Sequence, residues 1–156
     1  MKHILTLTVN PAVDKSTSID RVMPEHKLRC RNPDYEPGGG GINVSRAIKK
    51  LGGNSIAFCT AGGLTGRLLE SLLQKEEISH HPIPIREWTR ESLAVFEEST
   101  GLQYRFGMQG PTLREDDIFG GDVGHQTVFE LGVGHVIHAF GKQGRQVEFI
   151  AEGGVV

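Results

Sequence analysis

Residues 37–47 read Pro-Gly-Gly-Gly-Gly-Ile-Asn-Val-Ser-Arg-Ala and join four consecutive glycines to a helical pattern. Because the glycines carry no side chains, a ligand can approach the backbone N–H groups of this loop closely. Four apolar residues follow at the spacing of one helix face: Val44, Ala47, Ile48 and Leu51. Gly52 stands where a helix-terminating glycine belongs. A bare loop before a helix predicts a site for an anion or for sugar hydroxyls, whereas a flexible surface turn is the alternative.

The glycine run matches neither of two common nucleotide motifs. The dinucleotide fingerprint G-x-G-x-x-G requires a final glycine where this chain has Asn43 or Val44. The P-loop requires Gly-Lys-Ser/Thr at its end, and here Gly41 precedes Ile42.

The pattern around the run predicts an α/β fold. Residues 4–9 and 55–60 are predicted strands on either side of the 42–51 helix, which is the arrangement of a parallel crossover. Thr65 is the predicted N-cap of a second helix that runs to about Glu76. Its predicted apolar face consists of Leu68, Leu69, Leu72 and Leu73.

Two further segments predict a small β-sheet. Residues 27–36 read as an extended segment, and residues 93–98 and 102–108 flank Ser99-Thr100-Gly101 as a hairpin. The predicted architecture is therefore a parallel α/β core with a small β-sheet lid over its edge.

Six blocks follow one another along the chain: Leu5 to Asp14, His26 to Cys30, the glycine run, Ala61 to Gly66, Trp88 to Arg90 and Gln103 to Phe106. In this order they resemble the ribokinase-type carbohydrate kinases, in the branch of the minor phosphofructokinases and tagatose-6-phosphate kinase. They extend to about Asp117. The all-glycine form of the loop is closest to the 6-phosphofructokinase type, because many members have lysine at the position of Gly40.

The resemblance implies an ATP-dependent transfer of phosphate to a sugar phosphate, fructose 6-phosphate first among them. It implies these substrate-binding residues: Asp14, Lys27, Arg29, Gly39, Gly40, Asn43, Arg90 and Arg105. Asp14 and Asn43 suit sugar hydroxyls, and the forked arginine side chains suit a phosphate. The fold implied is the N-terminal, truncated part of a ribokinase-like core with its lid, through which a homodimer would form.

The resemblance also implies what the chain lacks. In the family the catalytic aspartate lies in a distant Gly-Ala-Gly-Asp motif beside the loops that bind ATP and Mg²⁺. Gly120-Gly121-Asp122 is similar to that motif, but it lies too early in the chain and no amphipathic helix pattern follows it. We therefore expect no catalytic residue and no nucleotide site in this chain, and an inactive fragment. A non-catalytic sugar-phosphate-binding or assembly module is the alternative.

Composition limits the partners and the surroundings. A net charge of −2 argues against nucleic acid, and no apolar stretch is long enough for a membrane span. Cys30 and Cys59 have no metal-ligand spacing, and the adjacent His80 and His81 point to opposite faces of a strand. We predict no metal site and a cytoplasmic location.

The chain divides into two regions. Residues 1–118 hold the lid and the N-terminal half of the sugar-kinase domain, and residues 119–156 form a glycine-rich tail without family resemblance. Short strands are conceivable in the tail at Val133 to Phe140 and at Val147 to Ile150. The tail fits a chain that left its reading frame, and a divergent or flexible end is the alternative.

Overall fold

A computed structural model of the protein describes residues 4–114, Asp117 and the backbone of residues 148–152. The elements in this part of the chain follow in the order β1 Ile4–Thr8, β2 Ala12–Ile19, β3 Asp34–Gly38, α1 Gly40–Lys50, β4 Ser55–Ala61, α2 Gly63–Lys75, β5 His80–Pro84, β6 Arg90–Glu97, β7 Gln103–Gly107 and β8 Glu148–Glu152.

The core sheet has the strand order β5-β4-β1-β8. β1 pairs in parallel with β4, β4 pairs in parallel with β5, and β8 adds an antiparallel strand at the free side of β1. Buried side chains from three of these strands pack together: Leu5, Leu7, Phe58 and Ile83. The predicted strands at residues 4–9 and 55–60 are confirmed within a residue or so at each end, as is their parallel arrangement.

Helix α1 begins at Gly40, two residues before the predicted start, and buries a different face from the one predicted. Ile42 and Ser45 are buried, whereas Leu51 is 87% exposed. The hydroxyl of Ser45 lies 2.7 Å from that of Thr6, so a polar pair joins the helix to β1. A Cβ atom at Gly41 would meet the carbonyl oxygen of Leu7 at 2.7 Å. The glycine and the serine set the contact face because they allow close approach, which counting only apolar residues misses.

The end of α1 agrees with the prediction for Gly52. Its φ of 79° is in the left-handed region, and its N–H donates to the carbonyl of Lys49 over 2.9 Å. The next N–H, of Gly53, donates to the carbonyl of Ile48 over 2.9 Å, so the last carbonyls of the helix are satisfied.

Helix α2 begins earlier than predicted, and the N-cap prediction for Thr65 is wrong. The capping position is Gly62, which has no side chain, and its N–H is bonded to the hydroxyl of Thr89 over 3.1 Å. Thr65 instead donates its hydroxyl to the carbonyl of Thr89. Three residues of the predicted apolar face are buried, Leu69, Leu72 and Leu73, whereas the prediction for Leu68 is wrong because its side chain is 36% exposed.

A second core cluster lies under the two helices. It consists of Val13, Ile42, Ala57, Cys59, Leu69, Leu72, Leu73 and Ile78. Val13 comes from β2, so this cluster joins the lid to the core.

The lid is a second sheet with the order β3-β2-β6-β7. β2 pairs in parallel with β6, and antiparallel strands complete it on both sides. The predicted hairpin is confirmed as β6 and β7. The extended segment predicted for residues 27–36 is only partly a strand, because pairing with β2 begins at Asp34. The predicted α/β class, with a parallel core and a β-sheet lid, is confirmed.

A carboxylate at the end of β6 fixes the segment between β2 and β3. Glu98 accepts two hydrogen bonds from the Arg31 guanidinium, at 2.7 and 2.9 Å, and one from the Ser18 hydroxyl at 2.7 Å. The bond from Arg31 has the largest effect and the bond from Ser18 the next largest, and together they lower the pKa of the Glu98 carboxyl from 4.5 to about 2.

We expect this carboxylate to make folding sensitive to acid. Since the folded pKa is lowered, its contribution is present above pH 4.5 and is lost as the pH falls toward about 2. Glu98→Gln should therefore show a smaller fall in the free energy of unfolding across that window. Urea titrations at several pH values would measure it, with Glu91→Gln on the exposed surface of β6 as the control. Parallel curves for the wild type and Glu98→Gln would contradict the prediction.

Candidate functional site

An open cavity of about 460 Å³ lies between one face of the lid and the start of α1. All four lid strands, Gly39 and the first turn of α1 contribute to its lining. The lining residues are Ala12, Asp14, Lys15, Ser16, Glu36, Gly39, Gly40, Asn43, Arg90, Ser92, Leu93, Ala94, Arg105, Phe106 and Gly107. The structure thus brings six of the eight predicted substrate residues to one cavity.

Asp14 occupies the middle of the lid face. In the register of the sheet it stands beside Glu36 of β3 and Ser92 of β6. Burial of the carboxyl raises its pKa, and the positive charges of Arg90 and Arg105 partly offset that effect. An acceptor with two arginines nearby can hold a hydroxyl while the cations hold an anion.

The two arginines reach the cavity from different strands. Arg90 begins β6, is half-buried, and donates from Nε to the Oδ1 atom of Asn10 over 3.1 Å. Its Nη1 atom lies 3.3 Å from the hydroxyl oxygen of Ser92. Arg105 extends from β7 and is exposed. Both charges act on Asp14, so two forked cations share the cavity with the carboxylates of Asp14 and Glu36.

The glycine run forms the wall opposite the lid. Gly39 is the N-cap of α1 with a φ of 124°, and a Cβ there would meet the Thr8 methyl at 2.6 Å. A Cβ at Gly38 would meet the Asp14 carboxylate. These glycines are needed because the loop passes directly against β1 and β2. The N-terminal end of α1, with Asn43 in its first turn, therefore borders the cavity.

Lys27 and Arg29 lie elsewhere. Both are exposed on the segment between β2 and β3, and neither lines the cavity. Their role as substrate residues stays a prediction.

Four polar residues that line the cavity were not predicted from the sequence, namely Lys15, Ser16, Glu36 and Ser92, nor was Asn10, which contacts Arg90. Ser92 lies two residues after Arg90 on the same strand face, so strand alternation could have found it. Glu36 lies two residues before Gly38 in the same way. Asn10 is different, because its contact with Arg90 spans 80 residues and leaves no local signal.

Among the described residues, no group of three or more His, Cys, Asp or Glu side chains is placed to hold a metal ion. Neither helix of that region has the length and apolar character needed to cross a bilayer. Gly120-Gly121-Asp122 and the conceivable strand at Val133 to Phe140 fall outside the described residues.

Residues 7–116 match the pfkB family of carbohydrate kinases, which is most of the chain. The chain belongs to this family. The carbohydrate-kinase resemblance of the glycine run and its flanking blocks is thereby confirmed.

Similarity to individual pfkB proteins is high over the same region. The ATP-dependent 6-phosphofructokinase isozyme 2 of Escherichia coli (strain K12) is 49% identical over 117 residues, which are 75% of this chain and 38% of that protein. A crystal structure of E. coli phosphofructokinase-2 in complex with fructose-6-phosphate aligns with a TM-score of 0.75 and 45% identity, covering 83% of this chain and 42% of that one. The tetrameric inhibited form of the same E. coli enzyme aligns with a TM-score of 0.74, 45% identity and the same coverage. The chain therefore spans less than half the length of these pfkB relatives.

Proposed function

We propose that the cavity binds a phosphorylated ketose, with fructose 6-phosphate as the first candidate. The observation that carries this is the convergence of Arg90 and Arg105 with Asp14 on one cavity beside the glycine run. The similar E. coli structure, which contains fructose-6-phosphate, supports the choice of ligand.

Some polar side chains of the cavity suit the phosphate of such a ligand, and others suit its sugar hydroxyls. The arginines offer charge-assisted hydrogen bonds to the phosphate, where forked geometry is an advantage. Asp14, Ser92 and Asn43 offer the acceptors and donors that sugar hydroxyls require. The predicted roles of Gly39 and Gly40 are to let the ligand approach the backbone.

We propose that phosphoryl transfer from MgATP to this sugar phosphate belongs to a longer pfkB protein. The matched E. coli protein is named as ATP-dependent, and this chain spans 38% of it. Phosphoryl transfer requires a nucleotide site and a positioned base besides the sugar site. In this proposal the cavity supplies the sugar site, and the nucleotide site and the base lie in the part of the longer relatives that this chain does not span. We therefore expect no turnover by the chain alone.

A binding or assembly module is the second candidate. It is favoured by the described lining of the cavity, which lies between residues 12 and 107, and by the tetrameric form of the similar E. coli enzyme. In this case the lid would mediate a homodimer in the cytoplasm, where free thiols such as those of Cys30 and Cys59 persist. Analytical ultracentrifugation separates the two: a stable homodimer favours the module, and a monomer favours a part of a longer kinase. Turnover in a coupled ADP assay with fructose 6-phosphate and MgATP would contradict the expectation of an inactive chain, which both candidates share.

Calorimetry with fructose 6-phosphate and with fructose tests the binding proposal itself. The wild-type chain should bind the phosphorylated sugar more tightly, because free fructose has no phosphate to accept charge-assisted hydrogen bonds from the two arginines. Equal affinities would overturn the assignment of the cavity as a sugar-phosphate site.

Asp14→Ala should weaken both sugars about equally, since the carboxylate contacts a hydroxyl common to both. The loss of a hydrogen bond to a charged group corresponds to roughly 10- to 100-fold in the dissociation constant. Calorimetry on this variant, with Asp20→Ala outside the cavity as the control, measures the effect. A loss confined to the phosphorylated sugar would show that Asp14 acts on the phosphate end instead.

A further inference from the structure

Asn10 stands where the core sheet passes into the lid. It follows the end of β1 and precedes Pro11, with which the chain enters β2. Its Oδ1 atom accepts the Nε–H of Arg90 over 3.1 Å, so it connects the exit of the central strand to the start of β6. Asn10 does not line the cavity, whereas Arg90 does.

The Asn10 carboxamide is confined on its other side by the segment after β7. A Cβ atom at Gly110 would meet this carboxamide, so the backbone there packs directly against it. A side chain held between a backbone segment and an arginine has few alternative rotamers. The acceptor that Arg90 uses is therefore fixed by packing.

The remaining contact of Arg90 completes its orientation. Nε is engaged by Asn10, and Nη1 lies 3.3 Å from the Ser92 hydroxyl oxygen. A planar guanidinium held at these two atoms has a defined plane, and the rest of its edge is left for an anion.

We infer that Asn10 is a positioning residue that aims the Arg90 guanidinium at the phosphate of the sugar. The inference rests on the proposed function, because Asn10 acts on the ligand only through Arg90. A phosphate then meets an arginine whose side-chain entropy is already largely lost, which favours binding.

A double-mutant cycle tests the coupling by calorimetry with fructose 6-phosphate. Asn10→Ala should weaken binding about 3- to 10-fold in the wild-type background and have no further effect in the Arg90→Ala background. Affinity for free fructose should stay unchanged. A matched exposed substitution, Asn54→Ala, should change neither affinity.

The outcomes distinguish this inference from the proposed function. A wild type without preference for the phosphorylated sugar overturns both. A wild type with that preference, but with additive effects of Asn10→Ala and Arg90→Ala or an equal loss for both sugars, overturns only the positioning role.

Two measurements keep the test decisive if Asn10→Ala does not fold. Gly110→Ala adds a methyl group against the same carboxamide and should weaken fructose 6-phosphate selectively. In the wild type, the Arg90 Nε–H should give a slowly exchanging signal in ¹H–¹⁵N NMR spectra. Rapid exchange of that proton with solvent, or no selective effect of Gly110→Ala, would overturn the inference.

Discussion

Leu73→Ala is expected to lower the free energy of unfolding by about 2–5 kcal/mol, the range for a large-to-small change in a packed core. Leu73 lies on α2, is 0% exposed and belongs to the cluster that also contains Val13 of the lid and Ile42 of α1. Its truncation leaves a cavity where three elements meet, so the loss should lie in the upper part of that range. Urea unfolding followed by circular dichroism measures it.

The same substitution on the other side of α2 provides the control. Leu64 is 56% exposed, and Leu64→Ala should change the free energy of unfolding by no more than about 0.5 kcal/mol. Similar losses for the two variants would contradict the core assignment of Leu73.

Arg90→Ala is expected to weaken fructose 6-phosphate binding roughly 10- to 100-fold and to leave fructose binding unchanged. The estimate follows from the loss of a charge-assisted hydrogen bond. Arg105→Ala should act in the same direction but less strongly, because Arg105 is exposed and Arg90 is half-buried and held by Asn10. Calorimetry with both sugars gives the selectivity directly.

Arg67→Ala is the matched control for charge. Arg67 is an exposed arginine of α2 outside the cavity, so its loss removes one positive charge without touching the site. An equal loss of affinity in Arg67→Ala and Arg90→Ala would show a general charge effect and would contradict a specific phosphate contact.

Strands and the hairpin could be predicted from the sequence because their signals are local. The hairpin turn at Ser99-Thr100-Gly101 uses a glycine with a φ of 71°, and β1 shows alternating residues before Asn10-Pro11. Helix starts were harder to predict. Thr65 has the side chain of an N-cap, but its hydroxyl is taken by Thr89, which lies 24 residues further along the chain. Tertiary contact thus overrides the local capping preference.

Only the cavity residues that belong to family motifs could be predicted from the sequence. Asp14, Asn43, the glycines and the two arginines come together as the motifs imply, although motifs give no distances. The support of Arg90 by Asn10 could not be predicted, since it depends on which strands become neighbours. The same limit applies to Lys27 and Arg29, which an extended-strand pattern places on a lid strand and the structure places before it.

The parallel pairing of β2 with β6 has a consequence for the order of events during folding. Asn10 and Arg90 are 80 residues apart in the chain, so this pairing closes a long loop, whereas the β6–β7 hairpin and the two helices form from neighbouring residues. Contacts of high sequence separation are slow to form because the entropy of loop closure must be lost first. Asp14 and Arg90 share a cavity only after that step. A sugar phosphate would therefore bind only chains that have completed this slow stage, and mass action would draw late intermediates toward the native state.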